Sequence, residues 1–151
     1  MNISRRQWLG ASASLAAAAF FGTAGRAFAN VEDVEKAIAE FGGGTSVEEG
    51  GPLTLNTPEI AENGNSVPVS FTVDSPMSAD DHVESVMILA ADNPSPGVAT
   101  FHFTPASGAA EASTRMRLAQ TQDVVAVAKT STGKLYRVAN NVKVTIGGCG
   151  G

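Results

Sequence analysis

Val67-Pro68-Val69-Ser70-Phe71-Thr72-Val73 decides the fold of this chain. Valine and phenylalanine take every second position, with proline, serine and threonine between them. That is the period of a half-buried strand whose side chains alternate between core and solvent. Pro68 has no amide hydrogen to give a ladder, so it marks an edge position or a strand start. The same period continues downstream. Val83 to Ala91 is mostly apolar and reads as a central strand, broken by Asn93-Pro94-Ser95-Pro96-Gly97. Val98 to Thr104 places Ala99, Phe101 and Phe103 on one side and Thr100, His102 and Thr104 on the other. Thr114, Met116 and Leu118 alternate with Arg115 and Arg117. Val124 to Lys129 runs into Thr130-Ser131-Thr132-Gly133, a hairpin signal, and Lys134 to Val138 returns. Val142, Val144 and Ile146 close the series. Some seven short strands separated by turn signals predict an all-β fold, an antiparallel β-sandwich of the immunoglobulin-like kind.

Upstream of the strands the pattern changes twice. Asn56 to Asn65, with Pro58 and Asn63-Gly64-Asn65, reads as a turn-rich connection. Asn30 to Phe41 carries Val31, Val34, Ile38 and Phe41 at three- and four-residue steps, which predicts a short helix lying on the sandwich or on a partner. Gly42-Gly43-Gly44 ends it. Before that, Ser4-Arg5-Arg6-Gln7-Trp8-Leu9 sets an arginine pair ahead of an alanine-rich apolar run, and Ala27-Phe28-Ala29 offers a small-x-small cleavage site. The run is shorter than the roughly 20 residues a membrane span needs. It has the form of a twin-arginine export signal, an address read on proteins that cross the membrane already folded. The expected organisation is a signal over residues 1–29, a helix and glycine link over 30–44, a sandwich over 45–146 and a tail over 147–151. The product expected is a soluble protein that lies outside the cytoplasm.

Cleavage would remove three of the ten basic residues and none of the fifteen acidic ones, leaving a net charge of −8. Such a surface disfavours nucleic acid and anionic membrane and favours partners with a basic face. The one cysteine, Cys149, cannot form an internal disulfide. In an exported chain an unpaired cysteine points to intermolecular pairing or a reactive thiol.

That cysteine stands in Gly147-Gly148-Cys149-Gly150-Gly151, the last five residues, after Ile146 as the last residue expected to be buried. Glycines bring no side chain and little torsional preference, so the expected tail is a mobile, slim arm. An extended chain advances at most about 3.3–3.6 Å per residue, which would let Cys149 reach on the order of 10 Å beyond the last strand. No histidine, cation or helix N-terminus lies next to it in sequence to activate the thiol. This is the pattern of a covalent carrier whose partners supply the activation, rather than of a cysteine hydrolase.

The glycine-flanked terminal cysteine behind a strand, with the arginine-pair signal, resembles the SoxY family, sulfur-carrier subunits of bacterial thiosulfate oxidation. Thr57-Pro58-Glu59-Ile60-Ala61-Glu62-Asn63-Gly64 and Val67-Pro68-Val69 are also similar to that family's early strand region. The resemblance implies that Cys149 carries sulfur covalently on an arm of Gly147, Gly148, Gly150 and Gly151, with no cofactor or metal of its own. It further implies a SoxZ-like second subunit and a c-type haem enzyme that conjugates thiosulfate to the thiol. A dimanganese hydrolase that releases sulfate would follow, and in some systems a sulfur dehydrogenase. Co-export of the second subunit would explain a folded-export signal on a chain without a cofactor.

Two other readings compete. A carrier of the ubiquitin-like type would use the terminal Gly150-Gly151 carboxylate, but its activation requires ATP, which an exported chain does not meet. A binding module with an incidental tail would leave the cysteine without a role. The position of the cysteine fits neither a prenylation site nor a lipoprotein signal. Elsewhere the candidates are weaker. His82 and His102 are too sparse for a metal motif. Met77, Met87 and Met116 suit core or surface better than copper. Asp80-Asp81 suits a turn, and Arg115 with Arg117 suits charge balance ahead of recognition of an acidic partner.

Overall fold

The computed structural model describes residues 31–148; residues 1–30, where a signal is expected, and Cys149, Gly150 and Gly151 lie outside the described residues. Among the described residues one α-helix, α1 (Val31–Gly42), precedes nine strands: β1 (Val47–Glu49), β2 (Leu53–Asn56), β3 (Ile60–Ala61), β4 (Val67–Val73), β5 (Val83–Ala90), β6 (Gly97–His102), β7 (Ala110–Met116), β8 (Gln122–Thr130) and β9 (Leu135–Val144). They form two sheets. The larger runs β1-β9-β8-β5-β6, with β3 also paired to β9; the smaller runs β2-β4-β7. Together they make an immunoglobulin-like sandwich. Ladders within it are antiparallel except for β1 and β3, which run parallel to β9.

The alternation of β4 is realised as read, with Val67, Val69, Phe71 and Val73 buried. β4 is the middle strand of its sheet, and Pro68 is tolerated because it stands near the start. The ladder to β2 reaches only Asn56↔Ser70, so no partner on that side seeks the missing amide. Val67 to Val73 face Val86, Ile88 and Ala90 of β5 and Val124, Ala126 and Ala128 of β8 across one core. Phe71 meets Phe101 and Phe103 edge-on, with ring centroids 5.3 and 6.1 Å apart, a favoured aromatic geometry.

β5 and β8 are apolar on both faces because α1 covers the far side. Val34 and Ile38 pack on Met87, Leu89, Val125, Val127 and Leu135. The helix therefore lies on the sandwich. Burying its two central side chains contributes about 1.5–3 kcal/mol each. Arg137 adds a tether, its Nη1 donating to Glu35 Oε1 at 2.7 Å. No helix of the described residues is long and apolar enough to cross a membrane.

Three features depart from the sequence reading. The connection read over 56–65 contains β3, whose two residues carry almost no periodicity, and the short β1 and β2 also join the sheets. The returns read separately at Lys134 to Val138 and Val142 to Ile146 are one ten-residue strand, β9. Ile146 is not buried: it follows the end of β9 and is 67% exposed.

Candidate functional site

The root of the tail is where the candidate site can be built. Beyond β9 the chain passes between two shoulders, the turn at residues 61–65 and the segment at residues 117–121. Val144 donates its amide to Thr121 Oγ1 at 2.9 Å, and that hydroxyl lies 3.4 Å from the Val144 carbonyl. Thr145 donates through its amide to the Ala61 carbonyl at 3.0 Å and through its hydroxyl to the Glu62 carbonyl at 2.9 Å. Gly64 donates to the Ile146 carbonyl at 2.7 Å, and Gly148 donates to the Leu118 carbonyl at 2.8 Å. Leu118 closes the circuit by donating to the Gly64 carbonyl at 2.8 Å. Three separate stretches of backbone are thus laced together, satisfying groups that lie beyond the sheet ladders.

Such lacing demands glycine. A Cβ on Gly64 would run into the Leu118 carbonyl oxygen and stand 2.6 Å from the Gly148 nitrogen. One on Gly148 would stand 2.8 Å from the Gly64 oxygen and 3.1 Å from the Leu118 oxygen, and one on Gly147 would strike the Ala119 carbonyl oxygen. None of the three has a positive φ. Close backbone approach is therefore the requirement here, not a left-handed torsion. Gly147 and Gly148, read from sequence as spacers, are also packing residues at this root.

The second shoulder has its own support. Asn93 is 3% exposed and Gln122 2% exposed. Asn93 Nδ2 donates to the Arg117 carbonyl at 2.8 Å, while its Oδ1 accepts from the Ala119 amide at 3.0 Å and from Gln122 Nε2 at 2.9 Å. Gln122 Oε1 in turn accepts from the Asp92 amide at 2.8 Å. Leu118, between the two clamped residues, buries its whole side chain in the core. A buried amide pair hydrogen-bonded to each other and to both flanking backbones favours one conformation.

Of the residues singled out from sequence, Gly147 and Gly148 are at this root, and Cys149, Gly150 and Gly151 continue from it outside the described residues. Arg115 reaches toward the same region, its Nη1 donating to Ser66 Oγ at 3.1 Å, and Arg117 is exposed beside Leu118. The others are elsewhere. His82 braces a turn through Nδ1, 3.1 Å from the Ser78 carbonyl. His102 is exposed on β6, and Met77, Met87 and Met116 are core. Asp81 belongs to the Ser78 turn, its amide donating to Ser78 Oγ at 3.1 Å. No group of three metal-ligating side chains occurs among the described residues. Gly64, Asn93 and Gln122 carried no sequence signal for this site: the first two read as turn formers, and the third sits at the start of a strand.

Comparison with known proteins bears on the family and the fold. The family profile described as sulfur oxidation protein SoxY matches residues 38–149, from within α1 to Cys149 itself. Among solved structures, the sulfur carrier protein SoxY from Chlorobium limicola f thiosulfatophilum is 37% identical, with a TM-score of 0.65, covering 76% of this chain and 98% of that one. A superoxide reductase (neelaredoxin) from Ignicoccus hospitalis has a TM-score of 0.59 at 12% identity, covering 65% of this chain and 94% of that one. A putative superoxide reductase from Thermotoga maritima has 0.55 at 15% identity, with 65% and 93% covered. These two likenesses concern the fold alone. No curated protein matches the sequence significantly.

Proposed function

This chain belongs to the SoxY family of sulfur oxidation proteins, and on that premise we propose that it is a sulfur carrier bearing its substrate on Cys149. The observation that carries this reading is the coincidence of three things at one place. The family match ends on Cys149, the chain has no other cysteine, and the glycines before it leave the sandwich through a built backbone seat. In this reading the chain performs no chemistry alone. Its thiol is the handle, and partner enzymes supply activation, in keeping with a cysteine that has no activating group next to it in sequence.

The reaction sequence is the one that membership of this family implies. The Cys149 thiol and thiosulfate are joined through a new sulfur–sulfur bond, releasing one proton and two electrons to a c-type haem partner. The S-thiosulfonate formed is then hydrolysed by a dimanganese enzyme: water attacks the sulfonate sulfur, sulfate leaves, and a persulfide stays on Cys149. A sulfur dehydrogenase oxidises that sulfur where one is present. The carrier works as a heterodimer with a SoxZ-like subunit, is exported folded by the Arg5-Arg6 signal, and acts in the periplasm without a resident cofactor.

The test is replacement of Cys149 in the producing cell. Cys149→Ala is expected to abolish thiosulfate oxidation while leaving the protein folded and exported; undiminished oxidation would overturn the carrier reading.

A further inference from the structure

The seat of the tail has a consequence for how the thiol is presented. Consecutive Cα atoms across a trans peptide are about 3.8 Å apart, so Cys149 begins within about 4 Å of Gly148 wherever the rest of the tail goes. Gly148 is in turn fixed by its hydrogen bond to Leu118 and by the absence of a side chain at Gly64, against which its nitrogen packs. Without that seat the tail would hang from Thr145 and Ile146, two residues and about 7 Å further back.

We propose that Gly64, with the Leu118 carbonyl, is a positioning residue for the carrier thiol: it sets the point from which Cys149 is displayed to partner enzymes. This inference rests on the carrier reading of Cys149. Asn93 acts behind it by clamping Arg117 and Ala119 on either side of Leu118. Gly148, the residue from which Cys149 continues, is thereby held against the sandwich. The turn at residues 63–65 and the segment at residues 117–120 form the collar that an enzyme meets when it receives the arm. Misplacing a reacting group by about 1 Å can cost on the order of 100-fold in rate, so a root displaced by one methyl group is expected to be felt at the partner's site and not in the core.

The experiment uses the mature protein with its second subunit. Amide exchange at Gly148 is followed by NMR in the parent and in Gly64→Ala, beside alkylation of Cys149 by iodoacetamide and enzymatic loading with thiosulfate. The expected result is a protected Gly148 amide in the parent. In Gly64→Ala that protection falls at least about tenfold, while amides of β4, β5 and β8 keep theirs. Alkylation stays within about twofold, and kcat/KM for loading falls by about tenfold or more. Should Gly64→Ala not fold, Gly148→Pro removes the same donor outside the sandwich and is expected to give the same loss of loading. A parent Gly148 amide that exchanges like an unstructured glycine, or parental loading in the variant that folds, would overturn the proposal. Failure of the carrier reading is distinguishable, because it shows as activity in Cys149→Ala, whereas failure of the positioning role leaves Cys149→Ala inactive.

Discussion

The amide of Gly148 donates to the carbonyl of Leu118 at 2.8 Å, and the amide of Leu118 donates to the carbonyl of Gly64 at the same distance. The end of the sandwich and the residues that lead to Cys149 are therefore one hydrogen-bonded unit. Its behaviour under substitution can be stated residue by residue.

Asn93 is the buried support of that unit. Asn93→Ala would leave the part-buried Arg117 carbonyl and Ala119 amide and the buried Gln122 Nε2 each short of a partner. An unsatisfied buried polar group costs about 1–3 kcal/mol, so a loss of about 2–4 kcal/mol is expected in urea unfolding. A loss below 0.5 kcal/mol would mean that water or a shifted loop replaces the side chain.

The helix is held by packing across the larger sheet. Ile38 is 2% exposed against Leu89, Val125 and their neighbours. Ile38→Ala is expected to destabilise the domain by about 2–4 kcal/mol, as large-to-small core changes do. Denaturant unfolding followed by circular dichroism checks this. An unchanged midpoint would show that the helix is not docked in solution.

Ile146 gives the opposite expectation. At 67% exposure it has little apolar area to lose. Ile146→Ser is expected to change stability by less than about 0.5 kcal/mol, measured by the same unfolding curve. A larger loss would mean that the side chain is covered by something the isolated domain does not provide.

These contrasts show what the sequence could express. The period-two run at Val67 to Val73 and the apolar run at Val124 to Lys129 reported the sandwich because each strand buries at least one face, and burial selects residue type. Val83 to Ala91 read as central for the same reason, although only the structure shows that α1 is the second cover. Ile146 misled because alternation was carried past the end of β9, where the strand has no core left to face. The seat around Gly148 is silent in sequence, since it is made of backbone groups. Gly64 looks like any turn glycine, and nothing in Asn93-Pro94 says that the amide turns inward to clamp a segment some two dozen residues away. Cys149 was legible through its solitude and its neighbours, which are properties of the sequence itself.

The most direct test of the account is intact-protein mass spectrometry of the mature form, taken from cells oxidising thiosulfate, before and after a thiol reductant. The account predicts species heavier than the free thiol by a thiosulfate-derived or sulfane sulfur adduct. These should be confined to a fragment containing Cys149 and return to the free-thiol mass on reduction. Only free thiol under turnover, or an adduct that persists in Cys149→Ala, would contradict it.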